Sequence, residues 1–390
     1  MGLRPGDGLT PGLSERAARL GASVPFAAAA DLLAHVTGVR VGAETVRRLT
    51  EAAGAAQVAR ETAAVAELER TLPDAPPGPA VQLLSVDGAM VPLRAGIWAE
   101  VKTLAVGAVA PAEGGPRTGA LSYCSRCTDA ATFGRLATAE LHRRGTPTAG
   151  TVVAVADGAV WCQGFVDLHR PDAVRILDFP HAVEHLGAVA QAAFGPGTAG
   201  ASEWLGVQAH RLRHGAETTV LATLAALGIQ ADLSAAARAL ADRTHAYLAA
   251  RIEHIRYARF AAMGYPIGSG CVESANKLVV EARLKGPGMH WDRATVDPML
   301  ALRCLLANGR WDAEWAAVWT ELRTRTRAAA VVRRTPAAPD SVAPAPPPVA
   351  DQEPPPVART LPAPRPKTVV AGKPTADHPW KRGFNLRAKP

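Results

Sequence analysis

Apolar residues recur at helical spacing in FAAAADLLAHV (Phe26–Val36), and Gly38 follows at a place suited to a turn. VGAETVRRLTEAAG then predicts a second short helix, with Gly42 before it and Gly54 closing it. Two short helices joined by a Gly-containing turn describe a helix-turn-helix. Arg47 and Arg48 on the second helix become candidates to face DNA. An ordinary helical hairpin has the same pattern. Residues 1–71 are thus expected to form a small helical domain, and LPDAPPGPA (72–80) reads as a Pro-rich linker.

Beyond the linker the apolar runs shorten. VQLLSV, ending at Val86, predicts a buried strand. TLAVGAVA from Thr103, GALSYC from Gly119, TVVAVA from Thr151 and AVRILDF from Ala173 predict four more. Asp129 to Arg144 reads as an amphipathic helix closed by Gly145, and His181 to about Arg259 is Ala/Leu-rich and helical throughout. The expected class is α/β. The order strand-strand-strand-helix-strand-helix-strand is that of the ribonuclease H fold, with a mixed five-stranded sheet. Residues 80–180 would be the first part of that domain, 181–266 a long all-helical insertion, and 267–332 its C-terminal helices. Residues 335–390 are Pro-rich, basic and poor in aromatics, which predicts a disordered tail. HPWKR (His378–Arg382) is its one candidate docking element.

Composition changes this picture little. The 390 residues are 48% hydrophobic, enough for a sizeable core. The formal charge of +8 suggests an anionic partner, nucleic acid first. Residues 331–390 hold ten Lys/Arg against four Asp/Glu, so most of that excess lies in the tail. Five scattered cysteines do not resemble a disulfide framework and fit a reducing interior. No apolar run reaches the length of a membrane span, and the first residues lack the apolar stretch of a signal peptide. A cytoplasmic protein is expected.

Asp87 follows VQLLSV and precedes Gly88; Asp157 follows TVVAVA and precedes Gly158. Asp-Gly is a common turn dipeptide after a strand. Two such steps, at the first and fourth strands, also place two carboxylates at strand ends, where an α/β sheet gathers ligands. GYPIGSGCVESANKLVVEARLKG (Gly264–Gly286) offers a third, Glu273, in the first turn of a helix with Ser269 as N-cap and Lys277 one turn later. Glu273 also reads as a solvated first-turn residue favoured by the helix dipole. Three converging carboxylates are what two-metal phosphoryl transfer requires, with oxygen ligands suited to Mg²⁺ or Mn²⁺.

These segments resemble the DDE transposases of bacterial insertion sequences, particularly the Kra-type group. SVDGAMVPL with WAEVKT is similar to the first catalytic block, VVAVADGAVW to the second, and LDFPHAVEHL to a segment bearing an Asp-x-x-His signature, here Asp178 and His181. GYPIGSGCVESANKLVVEARLKGPGMHW is similar to the Glu-bearing block and is the most specific, and LALRCLLANGRWDAEW to the run after it. The resemblance covers about residues 80–320. It implies a ribonuclease-H-like catalytic domain and two Mg²⁺ or Mn²⁺ ions on Asp87, Asp157 and Glu273. It also implies cleavage and strand transfer at inverted-repeat ends into target DNA, and a homodimer or higher assembly. Members of this group usually carry a longer N-terminal region, often cysteine-rich; this chain starts close to the candidate helix-turn-helix.

Several other features carry chemistry. His181-Ala-Val-Glu184-His185 spells His-x-x-Glu-His, the inverted zinc-peptidase motif, and a zinc metallopeptidase is the alternative enzyme. A DNA-binding protein that has lost catalysis is the alternative from another class. Cys124-Ser-Arg-Cys127 lacks a second pair at zinc spacing. Arg283, Lys285 and His290, with Trp291, form a basic segment with an aromatic, a candidate to clamp phosphates or stack a base; a solvated helix end is the other reading. Trp161, soon after Asp157, reads as core.

Overall fold

The computed structural model describes residues 9–334, together with 369–370 and 373–374. In chain order the helices and strands are α1 (Pro11–Ser23), α2 (Phe26–Thr37), α3 (Ala43–Thr71), β1 (Val81–Pro92), β2 (Trp98–Ala110), β3 (Arg117–Arg126), α4 (Ala130–Arg143), β4 (Thr151–Ala156), α5 (Val160–His169) and β5 (Val174–Leu177). There follow α6 (Phe179–Phe194), α7 (Ala199–Arg213), α8 (Glu217–Gly228), α9 (Ala235–Ala249), α10 (Tyr257–Ala262), α11 (Gly270–Ala275), α12 (Ala282–Leu284), α13 (Arg293–Ala307) and α14 (Trp311–Arg334). Two-residue strands β6 (Val369–Val370) and β7 (Lys373–Pro374) pair antiparallel. That short ladder interrupts the stretch expected to lack regular structure; the rest of the tail, with HPWKR, lies outside the described residues.

The fold is α/β with a five-stranded mixed sheet in the order β3-β2-β1-β4-β5. β1, β2 and β3 form an antiparallel meander, while β4 and β5 add in parallel beside β1. Period-two alternation sorts the side chains onto two faces. Leu84, Val86, Leu104, Val106, Val152 and Ala154 pack on one face under Phe133 of α4 and Phe165 of α5. Leu83, Val153 and Val155 face the other way, beneath Leu186, Val220, Leu224 and Leu248 of α6, α8 and α9. Further along β1 and β2, Ala89, Val91, Val101 and Ala105 carry that same parity. They pack instead on α1, α3 and α11–α13 through Ala18, Leu49, Val272 and Leu300. One sheet face is therefore shared by two helical layers, and Asp87 falls on β1 between them.

Several boundaries differ from those read in the sequence. β1 does not stop at Val86 but runs to Pro92, because β2 pairs with it along the whole length, from Gln82↔Ala108 to Pro92↔Trp98. Correspondingly β2 begins at Trp98 rather than Thr103. The Asp87-Gly88 step is thus strand and not turn. The second N-terminal helix does not close at Gly54; it continues to Thr71. A Cβ at Gly54 would lie 2.2 Å from the Pro298 carbonyl oxygen, so this glycine marks where α3 crosses α13. Its cost inside a helix, about 1 kcal/mol relative to alanine, is offset by that close approach. The three N-terminal helices share one core with α11–α14 and the β1–β3 end of the sheet.

Other expectations agree closely. α4 is capped by Asp129, whose carboxylate accepts from the Thr132 N–H at 2.9 Å. Gly145 follows with φ +64°. Phe179–Ala262 is helical as far as its connecting turns allow. Among the described residues no helix is long and apolar enough to cross a membrane, and all five cysteines are unpaired.

Candidate active site

Asp87 lies on β1 just past Leu84, the last residue paired with β4. It has the same parity as Leu83 and Ala89, so its side chain enters the seam between the two helical layers. Its Oδ1 accepts from the Gly88 N–H at 2.7 Å and its Oδ2 from the Asn276 side-chain amide at 2.8 Å. Burial pushes its pKa up, and the charges of Asp157 and Glu273 push the same way against the two hydrogen bonds. Beside it, a Cβ at Gly88 would sit 2.4 Å from Glu100 Oε1, so the Glu100 side chain packs over this glycine.

Asp157 is the first residue beyond β4 and continues the parity of Val153 and Val155. Its Oδ1 accepts from the Ala159 N–H at 2.9 Å and from the Cys162 thiol at 3.5 Å. Burial and Asp157 push the Cys162 pKa far up, so this thiol is a donor and not a nucleophile. The main chain is held from the other side. Tyr247 of α9 donates its hydroxyl to the Asp157 carbonyl at 2.8 Å. Arg251 donates to the Gly158 carbonyl at 3.3 Å, its guanidinium 4.0 Å from the Tyr247 ring centroid. Gly158 has φ +81°, and a Cβ would stand 2.7 Å from the Tyr247 hydroxyl. α9 and the turn after it thus fix the loop that carries Asp157.

Glu273 stands in the first turn of α11. Ser269 occupies the N-cap position as expected, but its hydroxyl makes no bond to the helix backbone and donates to Glu273 Oε1 at 3.1 Å instead. After Ala275 the helix widens into one π-helical stretch, Asn276–Glu281. Such widenings reset which side chains share a face, and here Asn276 is delivered to Asp87. Asp178 caps α6, accepting from the His181 N–H at 3.0 Å and from the Ser269 N–H at 2.6 Å. It therefore ties the start of α6 to the start of α11. Asp178 and His181 of the Asp-x-x-His signature are joined through the His181 main chain, not its ring. The imidazole turns instead to His185, Nε2 to Nε2 at 3.3 Å.

Val86, Asp87, Asp157, Asp178, Pro180, His181, Glu184, Ser269 and Glu273 line one cleft of about 240 Å³. None of Asp87, Asp157, Asp178 and Glu273 has an Arg or Lys ion-pair partner among the described residues. Burial, and then Glu273, also push the Asp178 pKa up. An all-oxygen, cation-free donor set of this kind is chemically suited to hard divalent cations. Among the described residues, however, no three His, Cys, Asp or Glu side chains already stand at ligand spacing. The donors fit Mg²⁺ or Mn²⁺ in kind, and binding would require them to close on the ion.

The basic residues singled out in the sequence divide. Lys277 and Lys285 line an adjoining groove with Asp87, Gly88, Met90, Glu273, Asn276 and Glu281. Lys285 is paired with Glu281 at 2.6 Å. Arg283 and Trp291 line no part of that groove; they sit at the back of a separate cleft with Phe26, Arg47, Arg94 and His290, and the expected exposed clamp and stacking surface is corrected to two nearly buried side chains. Arg283 is buried, with its guanidinium 4.6 Å from the Phe26 ring centroid and 5.1 Å from that of Trp291, and its Nε donates to the Gly21 carbonyl. Burial lowers its pKa to about 10. Trp291 is 6% exposed and donates to the Leu284 carbonyl. Both join α2 to the α12–α13 segment. His290 remains exposed. Arg47 is paired with Glu44 and Glu51, and Arg48 lies 3.7 Å from Glu44; both side chains are part-exposed.

Tyr247, Arg251 and Asn276 were not singled out in the sequence. Asn276 lies three residues after Glu273, and that spacing was its only signal. Tyr247 and Arg251 sit 90 or more positions from Asp157 and carried none. Comparison of the chain with protein-family models and with curated proteins finds no match in either.

Proposed function

We propose that this chain is a DDE-type DNA transposase that cleaves DNA strands and joins the freed 3′ ends to target DNA. The observation that carries the reading is convergence. Three carboxylates marked by separate sequence blocks, Asp87, Asp157 and Glu273, line one cleft without a cation partner. The strand order β3-β2-β1-β4-β5, with its one parallel edge, is compatible with a ribonuclease-H-like sheet and supports the same reading.

Two Mg²⁺ or Mn²⁺ ions, when bound, would supply activation of the attacking oxygen and charge stabilisation at the leaving oxygen. Asp87, Asp157 and Glu273 would hold them. Asn276 and the Gly88 N–H orient Asp87; the Ala159 N–H and Cys162 orient Asp157; the Ser269 hydroxyl orients Glu273. Lys277 and Lys285, on the groove that continues from the cleft, would bind the DNA backbone as point charges. No side chain needs to act as a nucleophile, since water and then a DNA 3′-hydroxyl attack directly. A homodimer would bring two such clefts to the two element ends.

The peptidase alternative lacks a complete zinc site. Glu184 lies 3.6 Å from His181 Nδ1, beside the ring rather than before a shared ligand position, and no third ligand is gathered among the described residues.

The test compares wild type with Asp157→Asn on a supercoiled plasmid carrying the DNA that flanks the chain's own gene. Loss of one negative ligand should cost several kcal/mol of barrier, at least about a thousandfold in Mg²⁺- or Mn²⁺-dependent cleavage. DNA binding should stay within about threefold, because the lysines remain. Wild-type cleavage that persists in EDTA would overturn the two-metal reading, and wild-type binding without cleavage would favour a DNA-binding protein without catalysis.

A further inference from the structure

We infer that His181 and His185 form a two-imidazole clip for a nitrogen-preferring divalent cation of the Zn²⁺, Co²⁺ or Ni²⁺ kind, at the rim of the carboxylate cleft. This goes beyond the proposed DNA chemistry and stands whether or not the chain cleaves DNA.

The two residues are one helical turn apart on α6, which puts them on the same face. Their Nε2 atoms approach to 3.3 Å with the rings nearly perpendicular, at 88°. Two nitrogens each about 2.0–2.1 Å from one tetrahedral ion lie about 3.3–3.4 Å apart. The separation is thus that of two ligands of a single metal.

One ring is held from behind. His185 stacks on Tyr247, with centroids 4.4 Å apart and planes at 25°. Tyr247 is itself anchored to the Asp157 carbonyl. Glu184 Oε2 stands 3.6 Å from His181 Nδ1. That is beyond hydrogen-bond distance, so Glu184 is near enough to become the outer carboxylate of a metal-bound histidine but does not yet fix the ring.

His181 lines the cleft with Asp87, Asp157, Asp178 and Glu273, so the remaining coordination positions open toward oxygen donors and water. Imidazole selects Zn²⁺, Co²⁺, Ni²⁺ or Cu²⁺, whereas the carboxylates alone select Mg²⁺ or Mn²⁺. The two kinds of ion are therefore sorted between adjacent sites by ligand chemistry. The competing account of the 3.3 Å contact is an N–H···N hydrogen bond between the rings, with no metal.

Titration of the metal-stripped full-length chain with Co²⁺, followed by visible ligand-field absorption, separates the two. One Co²⁺ per chain should bind, be displaced by Zn²⁺ and resist a large excess of Mg²⁺. His181→Ala and His185→Ala should each remove the band. His185→Cys should restore it with a near-ultraviolet thiolate charge-transfer band that wild type lacks. This gain of signal keeps the test valid even where an alanine variant folds poorly. His210 and His214 form a second pair at the same spacing on α7, exposed, with centroids 4.3 Å apart. Replacing both by alanine should leave the signal intact. The proposal is overturned if no band forms, if the band persists in the His181→Ala/His185→Ala double variant, or if it disappears with His210 and His214.

Discussion

Two acidic regions of this molecule are built in opposite ways. Between α3, β3, α4 and α14, Glu140 is buried and surrounded by cations. Arg310 holds it at 2.8 Å, Arg143 pairs with it on the next turn, and the Ser122 hydroxyl adds a further hydrogen bond. Nearby, Glu61 pairs with the fully buried Arg126, and Glu314 with Arg60 and Arg310. In the cleft, Asp87, Asp157, Asp178 and Glu273 meet only N–H, amide, thiol and hydroxyl donors. The first arrangement neutralises charge inside the fold. The second orients charge and leaves it uncompensated. A carboxylate group that the fold aims but does not neutralise is prepared for a cation from outside.

The contrast is sharpest in activity. Asp157→Asn should abolish metal-dependent cleavage, whereas Glu140→Gln should leave the activity per folded molecule unchanged; plasmid nicking normalised to folded protein decides it. Equal losses in both variants would erase the distinction.

Stability should invert the order. Glu140→Gln removes the carboxylate that Arg143 and Arg310 share, leaving Arg310 only Glu314, and should cost about 1–3 kcal/mol, read as a lowered urea midpoint. Asp87→Asn should instead stabilise the metal-free fold by about 0.5–2 kcal/mol, because it removes a desolvated charge repelled by two others. A lower thermal midpoint for Asp87→Asn without metal would show that its carboxylate is compensated after all.

The same logic sets a pH dependence. The folded-state pKa of Asp87 lies above its usual value near 3.8, so in the window between the two the native state binds more protons than the unfolded state. Stability of the metal-free protein therefore falls as pH rises through that window and grows as pH falls. Saturating Mg²⁺ should flatten or reverse this slope in wild type and leave Asp87→Asn unaffected. Urea midpoints measured across mildly acidic pH, with and without Mg²⁺, test the sign.

The smallest expected effect concerns the scaffold. Tyr247→Phe removes only the hydrogen bond to the Asp157 carbonyl and should cost about 0.5–1.5 kcal/mol. If that bond aims Asp157, the apparent Mg²⁺ affinity should weaken by a few-fold while DNA binding holds. An unchanged Mg²⁺ dependence would reduce Tyr247 to ordinary packing.

The amino-acid sequence by itself determined what each segment buries. TVVAVA gave β4 to the residue, and Asp129 with its following apolar spacing gave α4, because a strand's alternation and a helix cap are local properties. The three acidic positions could likewise be read from the segments that bear them. Longer-range pairing decided the rest. β1 outruns VQLLSV because β2 continues to pair beyond Asp87. Gly54 lies inside a helix because the backbone of Pro298 passes over it. Arg283 and Trp291 look like a basic, aromatic surface in sequence, yet Phe26 and Gly21 of distant helices arrive to bury them. Tyr247 and Arg251 reach the Asp157 loop across 90 or more positions, and His185 meets His181 with its ring pinned by that same Tyr247. Only the tertiary structure shows which charges acquire a partner, because compensation depends on which segment arrives opposite, and no local pattern encodes that.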